Sequence, residues 1–330
     1  MRSRTRLLAT FVAAVLPVAA QAADGFDIVS LGALGGIQDG NLSAHLIRPH
    51  DDDRAVTCDA GTLVNGLRVA EERGSLGDVR LTPGSAESRV GHVLTQRIKG
   101  YLITHAHLDH VAGLVVASPD DSQKPIYGLA SVNAALVDNY FNWQAWPNFT
   151  DRGKDPQLKK YTLVDLAPGV ATPLRDTKMR VTAFPLSHGG VESTAFLIES
   201  DNDAVLCFGD TGPDAAEKGA RLGDVWLAVA ERVKQRRLKA ILIEVSYASD
   251  RPDAQLFGHL TPKWLMASLH DLDRAAGGGA LAGLPVIVTH IKYSLTREQP
   301  QKKIQDELIA ANDLGVRFIL PSQGSRWHFR

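Results

Sequence analysis

Ile103-Thr-His-Ala-His-Leu-Asp-His110 follows the apolar pair Tyr101-Leu102, and its reading decides the rest. An apolar run closed by such a polar cluster reads as a buried strand whose exit loop carries chemistry. His105, His107, Asp109 and His110 crowd three imidazoles and a carboxylate into six residues. These are ligand types that zinc and similar divalent metals accept. A hydrated surface loop has no physical need for that concentration of imidazole.

Three further candidates stand after apolar or alternating runs. His188 follows Val181-Thr-Ala-Phe-Pro-Leu-Ser187, Asp210 follows Ala204-Val-Leu-Cys-Phe-Gly209, and His290 follows Pro285-Val-Ile-Val-Thr289. Each histidine taken singly reads as an ordinary hydrogen-bonded side chain. Their shared placement at strand ends makes them one set.

The set and its order resemble the metallo-β-lactamase fold superfamily. Asp59-Ala-Gly-Thr62 is similar to that family's early Asp-x-Gly loop. Within the superfamily the chain looks like the class II cyclic-nucleotide phosphodiesterases. The likeness rests on Thr104 to Leu114, Leu186-Ser-His188, Phe208-Gly-Asp-Thr-Gly212, Ile243-Glu-Val-Ser246, Phe257-Gly-His-Leu-Thr-Pro262 and Val288-Thr-His-Ile-Lys292. The resemblance implies an α/β fold, an αββα sandwich of two mixed sheets with outer helices. It also implies two divalent metal ions, zinc being the expected species, with manganese and iron compatible with the same ligands. One ion would take His105, His107 and His188 and the other Asp109, His110 and His290, with Asp210 bridging.

Hydrolysis of 3',5'-cyclic AMP, and by extension cyclic GMP, to the 5'-monophosphate is the implied activity, with a hydroxide bridging two metals as nucleophile. Asp109 binds metal in this reading and helps orient that hydroxide. Glu244 ends the apolar run Ala240-Ile-Leu-Ile243, and His259 precedes Thr261-Pro262, a capping residue and a first helical residue. Related phosphodiesterases and tRNA-processing nucleases pair such residues, so Glu244 is expected to orient His259 as proton donor to the leaving oxygen. For substrate binding the glycine-rich segment from Gly32 to Ser43 offers Gly36, Asn41 and Ser43, although a plain turn between strands explains it as well. Another hydrolase on the same scaffold, a lactonase, β-lactamase or RNA nuclease, is the main alternative, and a non-catalytic zinc-binding protein the third.

Arg2, Arg4 and Arg6 precede an apolar stretch from Leu7 to Ala20 and the small residues Ala20-Gln-Ala22. That pattern is a secretory signal peptide over residues 1–22, too short in its apolar part for a membrane span. One catalytic domain over 23–330 is expected, periplasmic and free of the membrane after cleavage. A net charge of −1 argues against a general nucleic-acid binder. The expected partner is a small molecule, and a homodimer is compatible with the chain. Hydrophobic residues at 44% suffice for a large core. Cys58 and Cys207 read as small buried core residues, although an oxidising compartment would allow them to pair. Trp143, Trp146 and Phe149 lie on a long polar loop, where they staple it to the body, form a subunit contact or stack on a base.

Overall fold

The computed structural model describes residues 25–330, so the expected signal peptide lies outside the described residues. Two seven-stranded sheets form the centre. The first runs Arg326–Phe329, Phe26–Gly32, Ala44–Pro49, Ala55–Cys58, Ile98–Leu102, Lys124–Gly128, Tyr161–Asp165. The second runs Arg317–Ile319, Pro285–Thr289, Leu238–Glu244, Asp203–Phe208, Val191–Ser200, Arg180–His188, Thr172–Pro173. Each is antiparallel over one half and parallel over the other, so both are mixed, as the αββα reading requires.

Side-chain alternation explains how the second sheet joins two cores. In Val191–Ser200, Phe196 and Ile198 enter the cluster that also holds Ile28, Val56 and Leu102 of the first sheet. Ala195 and Leu197 point the other way, to Trp226, Leu265 and Leu269 of the helices Arg221–Lys234 and Pro262–Ala275. Thr261 caps the second of these helices by accepting from Trp264 N, with Pro262 at its first position. The short helix Asp214–Glu217 is separated from Arg221–Lys234 at Lys218, which adopts a left-handed backbone.

Cys58 and Cys207 are not separate core residues. A disulfide joins them across the two sheets, with Cα atoms 6.7 Å apart. The reason is packing geometry, since both side chains enter the same inter-sheet core from facing strands. The bridge lies one residue before Asp59 and three before Asp210, so it fastens together the two strand ends that carry the site.

The aromatic loop is stapled to the body. Trp146 donates to Ser118 Oγ, Trp143 donates to the Pro156 carbonyl, and Phe149 packs on the core. Among the described residues no helix is long and apolar enough to cross a membrane.

Candidate metal centre

Strand ends deliver the ligands. Ile98–Leu102 runs out into His105 and His107, and the helix Leu108–Ala117 then carries Asp109 and His110 in its first turn, where a carboxylate suits the positive end of the helix dipole. His188 ends its strand, Asp210 lies just past Asp203–Phe208, and His290 follows Pro285–Thr289. Asp59 and His290 hold left-handed backbones with φ of 57° and 59°. Such conformations are costly for residues with a Cβ and persist where surrounding contacts enforce them. His290 N donates to the Ala33 carbonyl at 3.0 Å, and Asp59 N to that of Leu102 at 2.8 Å.

All seven expected ligands converge. His107 Nδ1 lies 3.0 Å from His105 Nε2 and 3.3 Å from His188 Nε2. His290 Nε2 lies 3.1 Å from His110 Nε2 and 3.2 Å from Asp109 Oδ2. Asp210 Oδ2 stands between the groups, 3.4 Å from His110 Nε2, 3.2 Å from His290 Nε2, 3.8 Å from His188 Nε2 and 3.9 Å from His105 Nε2. Two nitrogens bound to one tetrahedral zinc at about 2.1 Å each lie roughly 3.3 Å apart. The spacing therefore fits nitrogens that share a cation, and His105, His107, His188 and Asp109, His110, His290 form two such groups.

The outward nitrogens are engaged elsewhere, which turns the inward ones to the cluster. His110 Nδ1 lies 2.6 Å from Asp59 Oδ2, His188 Nδ1 2.7 Å from the Gly258 carbonyl, and His290 Nδ1 3.0 Å from Ser246 Oγ. Asp59 also accepts from Thr104 N and Thr104 Oγ1. Burial, then the charge of neighbouring His110, pushes His105 well below the usual imidazole range. Burial lowers His290 too. His110 goes the other way: burial opposes its charge, but Asp210 and Asp59 outweigh it and hold the imidazole well above its ordinary value. Burial opposes ionisation of Asp109 and Asp210, yet the facing histidines hold both carboxyls far below the usual range. The centre thus gathers two carboxylates among imidazoles, a donor set suited to divalent cations. A cation entering it would displace the proton on His110.

Glu244 and His259 stand beside this cluster, both buried. Glu244 Oε1 is 2.8 Å from His259 Nδ1, and the Thr211 amide donates to the same oxygen at 3.1 Å. Burial works against both charges, but each partner favours the other, so Glu244 is lowered and His259 raised. With Nδ1 held by Glu244, His259 keeps Nε2 without a hydrogen-bond partner among the described residues. Its ring lies 4.7 Å from that of His188 and 5.3 Å from that of His290, centre to centre.

Of the three residues expected to hold substrate, Gly36 alone reaches the cluster, its amide donating to Asp109 Oδ2 at 2.7 Å. Asn41 Oδ1 accepts from Ala33 N, which holds the turn, and Ser43 is buried with its carbonyl accepting from Gly61 N. Ser246 belongs to a stretch that carries the resemblance, but sequence alone assigns it no role of its own. Its hydroxyl donates to Glu244 Oε2 at 2.8 Å and lies 3.2 Å from His259 Nδ1 and 3.0 Å from His290 Nδ1, linking the Glu244–His259 pair to the cluster. Its position two residues past Glu244, on the strand's exit, was the available clue. Lys292, two residues past His290, was also missed; its Nζ is 4.0 Å from Asp109 Oδ2.

Known proteins resemble the chain along most of its length. A family model described as cAMP phosphodiesterases class-II matches residues 24–324. The chain is 51% identical to a 3',5'-cyclic-nucleotide phosphodiesterase of Aliivibrio fischeri, covering 92% of this chain and 93% of that protein. It is 42% identical to a probable 3',5'-cyclic-nucleotide phosphodiesterase of Yersinia pestis, over 92% and 90%. Among solved structures, unliganded yeast PDE1 superposes with a TM-score of 0.80 at 26% identity, covering 92% of this chain and 99% of that one. The metallo-β-lactamase fold protein YhfI of Bacillus subtilis, at 14% identity and a TM-score of 0.61, shares the fold.

Proposed function

Since the chain belongs to the class-II cAMP phosphodiesterase family, we propose that it hydrolyses 3',5'-cyclic AMP, and cyclic GMP, to the 5'-monophosphates at a centre of two divalent metal ions. The observation that carries this reading is the juxtaposition of seven ligands with a Glu244–His259 pair that metal binding itself does not require.

His105, His107 and His188 would hold one ion and Asp109, His110 and His290 the other, with Asp210 shared between them. When bound, such a pair lowers the pKa of water and offsets charge on phosphoryl oxygens. Asp109, anchored by the Gly36 amide, would orient the attacking water. As the new P–O bond forms, the bond from phosphorus to the ribose 3' oxygen breaks. That oxygen takes a proton from His259 Nε2. Glu244 fixes the ring through Nδ1 and keeps it protonated, and Ser246 and the Thr211 amide hold Glu244 in turn.

Export through a cleaved peptide over residues 1–22 to the periplasm completes the proposal, with zinc as the resident metal. The test is to load the protein with zinc and compare turnover of cyclic AMP, cyclic GMP, a β-lactam, an acyl homoserine lactone and single-stranded RNA. Selective turnover of the cyclic nucleotides is expected. Turnover of any other class in preference to them overturns the assignment.

A further inference from the structure

Beside the ligand cluster lies a cavity of about 530 Å³ that none of the seven ligands lines. Its inner end is Ser246 and Lys292, joined by the Lys292 amide donating to the Ser246 carbonyl at 3.2 Å. Farther from the cluster it is lined by Asp250 and Lys303, which form an ion pair at 2.6 Å. Tyr247 forms one wall, with Arg251 stacked over its ring at 4.6 Å, and Tyr293 stands on the other. The Tyr247 ring meets His259 edge-on, 5.7 Å between centres, so this wall is continuous with the proton donor.

The geometry points to this cavity as the site for the nucleoside half of the substrate, with Lys292 on the phosphate. The inference rests on the phosphodiesterase reading above. If the departing ribose oxygen sits at His259, the sugar and base must leave the cluster past that ring, and Tyr247 is the next side chain there. Two phenol rings and a planar guanidinium offer faces for a base, and stacking of this kind serves every base alike. The volume lies within the range of small-molecule sites. The Lys292 ammonium makes no hydrogen bond to any described residue, and Asp109 offers the one carboxylate within 4.0 Å among them. It is therefore a cation at the junction of cavity and cluster, where a phosphoryl oxygen would lie. In this assignment base recognition falls to Tyr247 and Tyr293 instead of Asn41, whose Oδ1 holds a turn, and Ser43, which is buried.

The test is calorimetric titration of 5'-AMP and of ribose 5-phosphate, which lacks the base, into the zinc-loaded protein, alongside the KM for cyclic AMP. The wild type is expected to prefer 5'-AMP, and Tyr247→Leu, which keeps bulk against His259, to lower that preference about tenfold and raise KM more than it changes kcat. Tyr293→Ala, on the more exposed wall, tests the same point should Tyr247→Leu fold poorly, and Lys292→Gln is expected to weaken both ligands by a similar factor. Equal affinity for the two ligands in the wild type, or an unchanged preference in both tyrosine variants, overturns the assignment. Failure of the wild type to hydrolyse cyclic AMP would refute the functional reading, whereas turnover with base-blind binding refutes the cavity alone.

Discussion

Replacing Gly35 by alanine should damage the metal centre although Gly35 is not itself a ligand. A Cβ built there falls 2.3 Å from His290 Cε1 and 2.4 Å from both ring nitrogens. Ordinary carbon contacts begin near 3.4 Å, so about 1 Å of displacement is demanded. The strand cannot supply it cheaply: Leu34–Gly35 pairs with Ile291–Lys292, and the next amide, Gly36 N, donates to Asp109. The ring itself is held by Ser246 and shares its inward nitrogen with His110, Asp109 and Asp210. A misplacement of about 1 Å at a reacting centre costs on the order of 100-fold in rate, or ~2.7 kcal/mol. Zinc content after dialysis, measured by mass spectrometry, and kcat/KM for cyclic AMP are the readouts. Gly219→Ala, where nothing lies within 4 Å of the added carbon, is the neutral comparison. A Gly35→Ala protein with wild-type zinc and wild-type kcat/KM would refute the packing argument and the placement of His290 with it.

Three other outcomes are expected. His259→Ala should lower kcat by about 10² to 10⁴ while both metals stay bound, as loss of a general acid does; a rate within threefold of wild type would remove His259 from the mechanism. Reducing the Cys58–Cys207 bridge, which closes a separation of 149 residues, should cost up to about 5 kcal/mol of stability on the chain-entropy account; an unchanged urea midpoint after reduction, with thiol content verified, would contradict that. Asp27 gives a pH effect on stability. Burial alone would raise its carboxyl, but hydrogen bonds from His50 and Arg326 and the charge of Arg48 outweigh burial and hold it below 3.8. Its contribution is then present above about pH 4 and lost as pH falls through the folded value. The stability gap between wild type and Asp27→Asn in urea titrations should therefore narrow from pH 5 toward pH 3, and a gap that widens would reverse the sign.

The convergence of the seven candidate ligands was legible because each stands at or soon after the end of a strand apolar enough to recognise, and because imidazole and carboxylate together are rarely placed so densely. Glu244 and His259 were legible for the same reason, aided by the Thr261-Pro262 helix start. What the chain hides is whatever depends on a partner far away in sequence. Cys58 and Cys207 look alike as free or bonded residues until the two sheets face each other. The edge strand Arg326–Phe329 alternates with Arg326 and His328, whose polarity is matched by Asp27 across the ladder and, for Arg326, by Asp78 as well. The helix Val64–Glu72 carries Gly66 near its start, a weak helix former, and that glycine is required because a Cβ there would meet the Leu31 carbonyl at 2.3 Å. Asn41 looked like a recognition group because a free carboxamide is one; Ala33 N, eight residues earlier, takes up its oxygen.

The central claim is tested most directly by running cyclic AMP hydrolysis in oxygen-18 water and analysing the nucleotide by mass spectrometry. The account predicts 5'-AMP with a single heavy oxygen on phosphorus, formed by the zinc-loaded protein and not after chelation. Unreacted cyclic AMP despite full zinc loading, or 3'-AMP as the product, would contradict it.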